Sequence, residues 1–363
     1  MRFGLRLPNY MKHKLLFILI AAAFLANSCT NKSSQENNIT ISPESGTTYK
    51  AGETVTVKAH YPAGSKPDSV VYLLDSVRIA AKKDSTEINL KTDTLKMGLR
   101  LLTAKVYTGG KSNEASTNIV LVAAKAPEEY TYKVVKVYPH DTSAYTEGLL
   151  YQDGYLYEST GEKGHSDLRK VDLETGKVVQ RAKIDPKYFG EGSAIVGNKI
   201  VMLTYTARVG FVFDKNTFKL LNTFTNNVGV EGWGMTFDGK KLYMDDKTNR
   251  IWFLNKDNYQ QTGYIDVYDD KQPIDAVNEL EYVDGNLYSN VYTTDTILMI
   301  NPKTGAVLRR IDMKNLWPMS KRPADYDNTN NVLNGIAWDE KGKRFFVTGK
   351  KWPHLYQVEF VKK

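Results

Sequence analysis

The stretch FGEGSAIVGNKIVMLT, residues 189–204, contains the pattern on which the fold depends. Glu191 stands between two glycines and is followed by a short hydrophobic run, a Gly-Asn turn and a second hydrophobic run. Two such runs around a tight turn predict a β-hairpin. A carboxylate at the start of a strand that looks buried needs an explanation, and that explanation depends on whether the segment is repeated.

The pattern occurs five times in the second part of the chain. Two further runs around a turn follow each of the first four copies, so four strands recur about every 40–55 residues, which is typical of β-propeller blades. After the last copy comes a single run, HLYQVEF (354–360), and we expect YKVVKVYPH (132–140) to supply the missing strand and close the ring. The other copies are YTEGLLYQDGYLYEST from residue 145, VEGWGMTFDGKKLYMDD from 230, VNELEYVDGNLYSNVY from 277 and LNGIAWDEKGKRFFVTG from 333.

The repeats predict an all-β protein with a five-bladed β-propeller over residues 130–363. Between residues 39 and 124, short alternating runs separated by turn signals predict a small antiparallel, immunoglobulin-like β-sandwich. The segment KAPEE (125–129) is the expected linker. No cluster of reactive side chains occurs in the sandwich, which we interpret as a spacer or a binding module.

The first 38 residues predict export. Basic residues precede the apolar run LLFILIAAAFLA, and the single cysteine of the chain, Cys29, follows closely. We predict that residues 1–28 are a lipoprotein signal peptide, that Cys29 is lipidated and that residues 29–38 form a polar tether. The apolar run is shorter than the ~20 residues that a membrane-spanning helix needs. The expected location is therefore the bacterial cell envelope, with membrane contact through the lipid anchor only.

Composition and motifs argue against several classes of function. The formal net charge is +8, and the chain has no arginine-rich block interleaved with aromatic residues, so nucleic acid is not an expected partner. The five histidines are scattered, which disfavours a zinc enzyme, and no G-x-S-x-G motif is present. Asp245, Asp246 and Asp295 are candidate ligands of a structural calcium ion, but we interpret them as turn residues. We expect no cofactor and no metal.

The propeller explains the position of the carboxylate. The innermost strand of each blade lines the central channel, so the residues that start these strands meet at one mouth of it, and neighbouring glycines allow five backbones to converge there. Aromatic residues beside carboxylates at a concave mouth indicate a binding pocket and a carboxylate with a raised pKa. A polar ring that only solvates the channel is the alternative. The starting positions are Glu147, Glu191, Glu231 or Trp233, Asn278 or Glu279, and Asn334, joined by Lys350 and by Tyr145, Phe189 and Tyr292.

Seven ordered motifs, YTEGL, ESTG, FGEG, EGWGMTFDG, NELEYVDGNLYSNVY, VLNGIAWD and FVTGKKWPHLY, resemble those of the plant-type glutaminyl-peptide cyclotransferases, which also occur in bacteria. The resemblance covers about residues 130–363. It implies a five-bladed propeller that converts the N-terminal glutamine of peptides and proteins into pyroglutamate without a catalytic zinc ion. The resemblance also implies that Glu191 is catalytic and that Trp233, Asn278 and Lys350 match the family's site residues.

Two positions depart from the family pattern. Glu147 stands where a glutamine is usual, and Tyr292 stands where a tryptophan is usual, which bears on substrate preference and optimum pH. Glu147 is expected either to attract the substrate ammonium or to raise the pKa of Glu191.

The expected chemistry is an intramolecular ring closure. Glu191 would take a proton from the attacking amine and deliver it to the departing ammonia. Asn278 and Lys350 would bind the amide, and Tyr145 and Trp233 would form an apolar slot. Two other functions stay open. One is a non-catalytic propeller receptor for a peptide or a sugar. The other is a metal-dependent lactonase-type propeller.

Overall fold

The structure, a computed structural model, describes residues 39–84 and 86–363. The predicted signal peptide, the tether and Cys29 lie outside the described residues. The described part of the chain is all-β, as predicted, with one short 3₁₀ turn at Met319–Lys321 and no α-helix. Within that part no helix has the length and apolar character needed to cross a membrane.

The first eight strands form two sheets that enclose one hydrophobic core. In β3, alternate residues are buried, and Val55 and Val57 pack in the same core as Tyr72, Leu102 and Ile119. One sheet has the order β1-β3-β6 and the other the order β2-β8-β7-β4-β5. The strands are β1 (Thr40–Ser42), β2 (Thr47–Lys50), β3 (Thr54–His60), β4 (Ser69–Leu74), β5 (Val77–Lys82), β6 (Ile88–Lys91), β7 (Gly98–Thr108) and β8 (Lys111–Val122).

The pairing of these strands departs from the purely antiparallel sandwich that the sequence predicts. β2 runs parallel to β8, with Thr47 opposite Ile119 and Lys50 opposite Val122. Parallel neighbours need a long connection, and here most of the sandwich separates the two strands in the sequence. The immunoglobulin-like topology stays a prediction.

The remaining strands form five antiparallel blades of four strands each. The strand that precedes them in the chain is β9 (Glu128–Pro139). Blade I contains β10 (Thr146–Gln152), β11 (Tyr155–Thr160), β12 (Asp167–Asp172) and β13 (Val178–Lys183). Blade II contains β14 (Gly190–Val196), β15 (Lys199–Thr204), β16 (Val209–Asp214) and β17 (Leu220–Thr225). Blade III contains β18 (Met235–Phe237), β19 (Lys241–Asp245), β20 (Arg250–Asn255) and β21 (Gln261–Asp266). Blade IV contains β22 (Val277–Val283), β23 (Asn286–Val291), β24 (Thr296–Ile300) and β25 (Val307–Asp312). Blade V contains β26 (Leu333–Asp339), β27 (Arg344–Gly349), β28 (His354–Lys362) and β9.

The borrowed strand that the sequence predicts for the last blade is confirmed. β9 pairs antiparallel with β28 along almost its whole length, from Pro139 opposite His354 to Tyr130 opposite Lys362. It begins at Glu128, inside the segment predicted as a linker, and its first residues also pair with β25 of blade IV. The innermost strands β10, β14, β18, β22 and β26 lie side by side in that order, and β26 contacts β10. The five blades therefore form a closed ring.

The core of the propeller lies between its blades. Five hydrophobic clusters are present, one for each pair of neighbouring blades, and each combines residues of two sheets. Between blades III and IV, for example, Tyr243 and Ile251 pack with Leu280 and Leu298. Each blade buries its apolar faces only against its neighbours, so removal of one blade would expose two of these clusters.

The sandwich contacts the outer part of blades III and IV. The Met97 amide donates to the Thr304 carbonyl at 2.8 Å, and the Lys96 ammonium donates to the Tyr264 carbonyl at 2.7 Å. Gly98 has a φ of +87°, and a Cβ there would lie 3.1 Å from Asp266 and from the Tyr268 ring. This contact is made by outer strands and their connections, so the sandwich contributes no residue to the site described below.

Candidate active site

The side chains at the channel mouth are aimed there by irregularities in the inner strands. Four of the five inner strands have a register shift at their start, against the second strand of the same blade. A β-bulge of this kind bends the strand and redirects the side chains within it. The second residues of β10, β14, β22 and β26 lie in these bulges, and they are Glu147, Glu191, Asn278 and Asn334.

Eight of the predicted site residues line one cavity of about 210 Å³ at this mouth. That volume corresponds to roughly seven molecules of liquid water, which suits a single amino-acid residue. The residues come from all five blades, so only the closed ring brings them together. The lining consists of Tyr145, Glu147, Phe189, Glu191, Tyr205, Trp233, Asn278, Tyr292 and Lys350.

The structure also resolves the alternatives that the repeat pattern left open. Trp233 lines the cavity, and Glu231 accepts a 2.9 Å hydrogen bond from its indole Nε1. Asn278 lines the cavity, whereas its neighbour Glu279 points into the channel. Asn334 does not line the cavity. Its Nδ2 donates to the Thr146 carbonyl at 2.9 Å and to Glu147 Oε2 at 3.3 Å, so it supports Glu147 from behind.

Tyr205 is the lining residue that the sequence reasoning missed. It directly follows β15, the second strand of blade II. Tyr292 and Lys350 directly follow the second strands of blades IV and V. The same repeat position therefore supplies three lining residues, and an alignment of the five copies at that position would have found Tyr205.

Two glycines make the close packing around the cavity possible. A Cβ at Gly161 would lie 2.4 Å from the Phe189 ring and 3.0 Å from Glu147 Oε1. A Cβ at Gly192 would lie 2.5 Å from the Trp233 carbonyl oxygen of the next blade. The missing side chain of Gly161 therefore leaves space for two site residues, Phe189 and Glu147.

Lys350 and Glu147 form an ion pair in the wall of the cavity. The Lys350 ammonium lies 2.7 Å from each carboxylate oxygen of Glu147, and both residues are buried. The ammonium also lies over the rings of Tyr145 and Tyr292, at 4.6 Å and 5.2 Å from their centroids, which adds cation–π attraction. The sequence predicted that Lys350 would bind substrate, but much of its hydrogen-bonding capacity is already used by Glu147.

Glu191 is the carboxyl group of the cavity that has no cation of its own. Burial raises the pKa of Glu191 well above its usual value, and the negative charge of Glu147 raises it further. Burial also raises the pKa of Glu147, but the Lys350 ammonium and a hydrogen bond from Glu191 oppose this. Because both oxygens of Glu147 bind the ammonium, we place the proton of the pair on Glu191.

Aromatic rings form the other walls. Phe189 lies between Tyr145 and Tyr205, with ring centroids 6.0 Å and 5.7 Å away. Trp233 contacts Tyr292 edge to face at 5.4 Å. The cavity therefore offers apolar surfaces around a neutral carboxyl group and the side-chain amide of Asn278.

The acids that were weighed as calcium ligands have other contacts. Asp245 accepts the Gly234 amide at 3.0 Å, and Asp246 accepts from the Thr248 hydroxyl and the Trp252 indole. Asp295 lies in the turn between β23 and β24 of a different blade. Within residues 39–84 and 86–363, no three His, Cys, Asp or Glu side chains come together in a way that could hold a metal ion.

Comparison with known proteins identifies the family. The family model described as glutamine cyclotransferase matches residues 101–360. This chain belongs to the glutamine cyclotransferase family. The match begins within β7, so it extends into the sandwich, whereas the resemblance noted in the sequence covers the propeller alone.

Two relatives support the assignment. The chain is 38% identical over 232 residues to a glutaminyl-peptide cyclotransferase of Arabidopsis thaliana, covering 62% of this chain and 70% of that protein. It is also similar to the crystal structure of Myxococcus xanthus glutaminyl cyclase, with 31% identity and a TM-score of 0.61, covering 65% of this chain and 99% of the other. The cyclotransferase family and the propeller fold of this chain are thus established together.

Proposed function

We propose that this protein is a glutaminyl-peptide cyclotransferase, which converts the N-terminal glutamine of peptides and proteins into pyroglutamate and releases ammonia. Membership of the cyclotransferase family supports the activity. The observation that carries the mechanism is the buried carboxyl group of Glu191, in a cavity of one-residue size with aromatic walls. A single residue with apolar methylenes and one amide is the ligand that such a cavity suits.

The reaction needs the substrate's own amine to reach its own side-chain carbonyl. Trp233, Tyr145 and Phe189 would hold the methylenes in the folded shape that brings these two atoms together. Positioning of this kind lowers a barrier by several kcal/mol, because the ring closure is intramolecular. A rigid cavity suits this task, and its walls come from strand ends and short turns.

Glu191 would carry the proton through the reaction. The ionised form of Glu191 is the one that reacts: the amine nitrogen attacks the γ-carbonyl carbon and loses a proton to the Glu191 carboxylate. The same proton then passes to the amide nitrogen, the carbon–nitrogen bond breaks, and ammonia leaves. The carboxylate is regenerated, so the steps balance without a cofactor. A pKa raised by burial and by the charge of Glu147 helps this one group to act first as a base and then as an acid.

Asn278 is the best placed donor for the amide of the substrate. Its side chain lines the cavity, whereas its backbone is held by Ser289, whose hydroxyl contacts both the Asn278 amide and its carbonyl at 3.2 Å. We assign to it the hydrogen bond to the carbonyl oxygen on which negative charge develops.

Glu147 acts on Glu191 rather than on the substrate in this proposal. The Lys350 ammonium neutralises it, so it attracts the substrate's ammonium only weakly. Its charge still disfavours ionisation of Glu191, and this makes Glu191 a stronger base once it is ionised.

The alternatives have less support. A lactonase-type site would need several metal ligands around Glu191, but Glu147 is bound to Lys350 and the described residues contain no suitable group of three. A receptor without catalysis gives no reason to bury the carboxyl group of Glu191 beside a second carboxylate, Glu147, whose charge raises its pKa.

A direct assay tests the proposal. The full chain, purified in detergent, is mixed with a peptide that begins with glutamine, and mass spectrometry and an ammonia assay follow the product. We expect loss of one ammonia from the peptide, at a rate that chelator does not affect and that falls by about 10²–10⁴-fold in Glu191→Gln. Activity that needs added metal would favour the lactonase type, and saturable binding without turnover would favour the receptor.

We also propose that the enzyme is exported and lipid-anchored to the bacterial cell envelope through Cys29. The basic and apolar residues before Cys29 support this. In a bacterial host, Cys29→Ser should move the protein from the membrane fraction to the soluble fraction. An unchanged distribution would contradict the anchor.

A further inference from the structure

A second, larger depression adjoins the catalytic cavity. It has a volume of about 920 Å³ and lies between blade V and the segment that connects β25 to β26. Its floor contains the buried side chains of Leu316, Trp317 and Tyr356. Pro318, Pro323 and the half-exposed Val137 form its sides. We call this depression the blade V groove.

One wall separates the groove from the catalytic cavity. Lys350 lines the cavity, and the next residue, Lys351, lines the groove. The Tyr326 hydroxyl, on the groove side, donates to the Lys350 carbonyl at 3.0 Å. On the cavity side, the Tyr145 hydroxyl donates to the Asn330 carbonyl at 3.3 Å, next to the groove residue Asn331. The two depressions therefore share a wall that is about one residue thick.

The sizes of the two depressions indicate what the groove receives. The cavity holds one residue, so the rest of a peptide substrate must leave across its rim. An extended chain advances about 3.3–3.6 Å per residue, and one or two residues are enough to cross the shared wall. The groove has room for several residues and presents aromatic, proline and aliphatic surfaces, with charged side chains also in its lining, namely Lys321, Asp325, Asp327 and Lys351.

We propose that the blade V groove binds the substrate residues that follow the N-terminal glutamine and favours an apolar side chain among the second to fourth residues. This inference rests on the proposed cyclotransferase activity. The occupant is an extended peptide segment, whose apolar side chain packs against Trp317 and Tyr356. Asn331 lines the groove and supplies a polar side chain for the peptide backbone.

A substrate series tests the groove on the full chain. Glutamine amide, Gln-Ala-amide, Gln-Ala-Phe-Ala-amide and Gln-Ala-Asp-Ala-amide are compared by kcat/KM. We expect a roughly tenfold gain for the phenylalanine peptide over glutamine amide, as partial burial of an aromatic side chain should produce. The gain should appear in KM, because the reacting atoms are the same in all four substrates.

Bulky substitutions on the groove's edge provide the matched variants. Thr142 and Asp325 are exposed and line the groove, so Thr142→Trp and Asp325→Trp should fill it without removing a packed side chain. Ala324 is exposed on the same segment but lies outside the groove lining, so Ala324→Trp is the control. We expect the first two variants to lose the gain for the phenylalanine peptide and to turn over glutamine amide normally, whereas the control keeps both.

The outcomes separate the two proposals. Two results would overturn the groove proposal and leave the cyclotransferase proposal intact. One is an equal kcat/KM for all four substrates in the wild type. The other is an equal loss of kcat/KM for glutamine amide and for the phenylalanine peptide in Asp325→Trp. An equal loss of the gain in Ala324→Trp would also overturn it. If the wild type converts none of the four substrates, the proposed function itself fails, and the groove proposal fails with it.

Discussion

Two buried carboxyl groups, Glu191 at the mouth of the channel and Glu279 inside it, differ in their contacts, and we propose a reactive role for the first and a structural role for the second. Burial raises the pKa of both Glu191 and Glu279 well above the usual value. Glu279 uses one oxygen to accept the Leu149 amide at 3.0 Å and the other to accept the Ile336 amide at 2.8 Å. Glu191 accepts no backbone amide among the described residues and faces the cavity.

The difference lies in the partners. Leu149 and Ile336 are the fourth residues of β10 and β26, so Glu279 joins the inner strands of blades I, IV and V where no strand pairing connects them. Further along, Glu281 accepts the Trp338 amide in the same way, and burial raises its pKa to about 8. A raised pKa alone therefore does not identify a catalytic group. In our proposal, the carboxyl group that reacts is the one that faces the cavity and accepts no backbone amide among the described residues.

The largest expected effect tests this distinction directly. Glu191→Gln should lower kcat by about 10²–10⁴-fold, because an amide neither accepts nor returns the proton. The free energy of unfolding should change by less than ~0.5 kcal/mol, because no backbone partner is lost. Steady-state kinetics and denaturant unfolding give the two values. A large loss of stability together with residual high activity would mean that Glu191 is structural.

The same substitution at Glu279, inside the channel, should lower the stability of the protein and leave its kcat unchanged. Glu279→Gln replaces one accepting oxygen by an amide nitrogen, which leaves the Leu149 or Ile336 amide without an acceptor. We expect a loss of about 1–3 kcal/mol in the free energy of unfolding, with kcat of the folded enzyme retained. If Glu279→Gln abolished turnover without lowering the free energy of unfolding, Glu279 would not have the purely structural role that we propose for it.

Glu147→Gln should change the pH dependence and restore the amide that the family resemblance implies at this position. Loss of the negative charge lowers the pKa of Glu191, and the freed Lys350 ammonium lowers it further. The acid limb of the kcat profile should move to lower pH, with a several-fold gain relative to wild type below the original limb. Glu147→Asp, which keeps the charge, is the control. If the acid limb of the kcat profile stayed at the wild-type pH in Glu147→Gln, Glu147 would have no effect on the titration of Glu191.

The smallest expected effect concerns Glu158, a buried carboxylate that is paired with the imidazolium of His140. His140 contacts the Trp352 carbonyl at 2.7 Å and Glu158 Oε1 at 3.0 Å, and two acceptors require the doubly protonated imidazolium. Burial by itself would lower the pKa of His140, but the charge of Glu158 and these hydrogen bonds raise it above the usual value. Burial by itself would raise the pKa of Glu158, but His140 and Arg169 lower it.

The sign of the pH effect follows from these directions. The contribution of His140 is complete below its unfolded pKa of about 6.5 and is lost as pH rises through the raised folded value. The contribution of Glu158 is complete above about 4.3 and is lost as pH falls through its lowered folded value. A double-mutant cycle with His140→Gln and Glu158→Gln should therefore give a larger coupling energy at pH 6 than at pH 9. Equal coupling energies at pH 6 and pH 9 would mean that His140 is not an imidazolium in the folded protein.

Much of the fold was predictable because each blade repeats a local pattern. Alternating residues and Gly-containing turns predict hairpins, and the short last copy predicts the borrowed strand that β9 supplies. The sandwich was predicted less well, since the parallel pairing of β2 with β8 depends on contacts across the domain that no local signal encodes. The catalytic cavity was largely predictable, because equivalent positions of a ring must meet at its axis.

The sequence by itself determined the five repeats, the strand that closes the ring, and the set of acidic, amide and aromatic residues near one mouth. Only the tertiary structure decided that Trp233 and Asn278 face the cavity while Glu231 and Glu279 do not. A shift of one residue turns a strand side chain to the opposite side, and the bulge at the start of β22 sets this shift for Asn278 and Glu279. Trp233 lies ahead of β18, so its direction is set by the connection that leads into blade III. The ion pair of Glu147 with Lys350, 203 residues apart, is likewise a property of the closed ring.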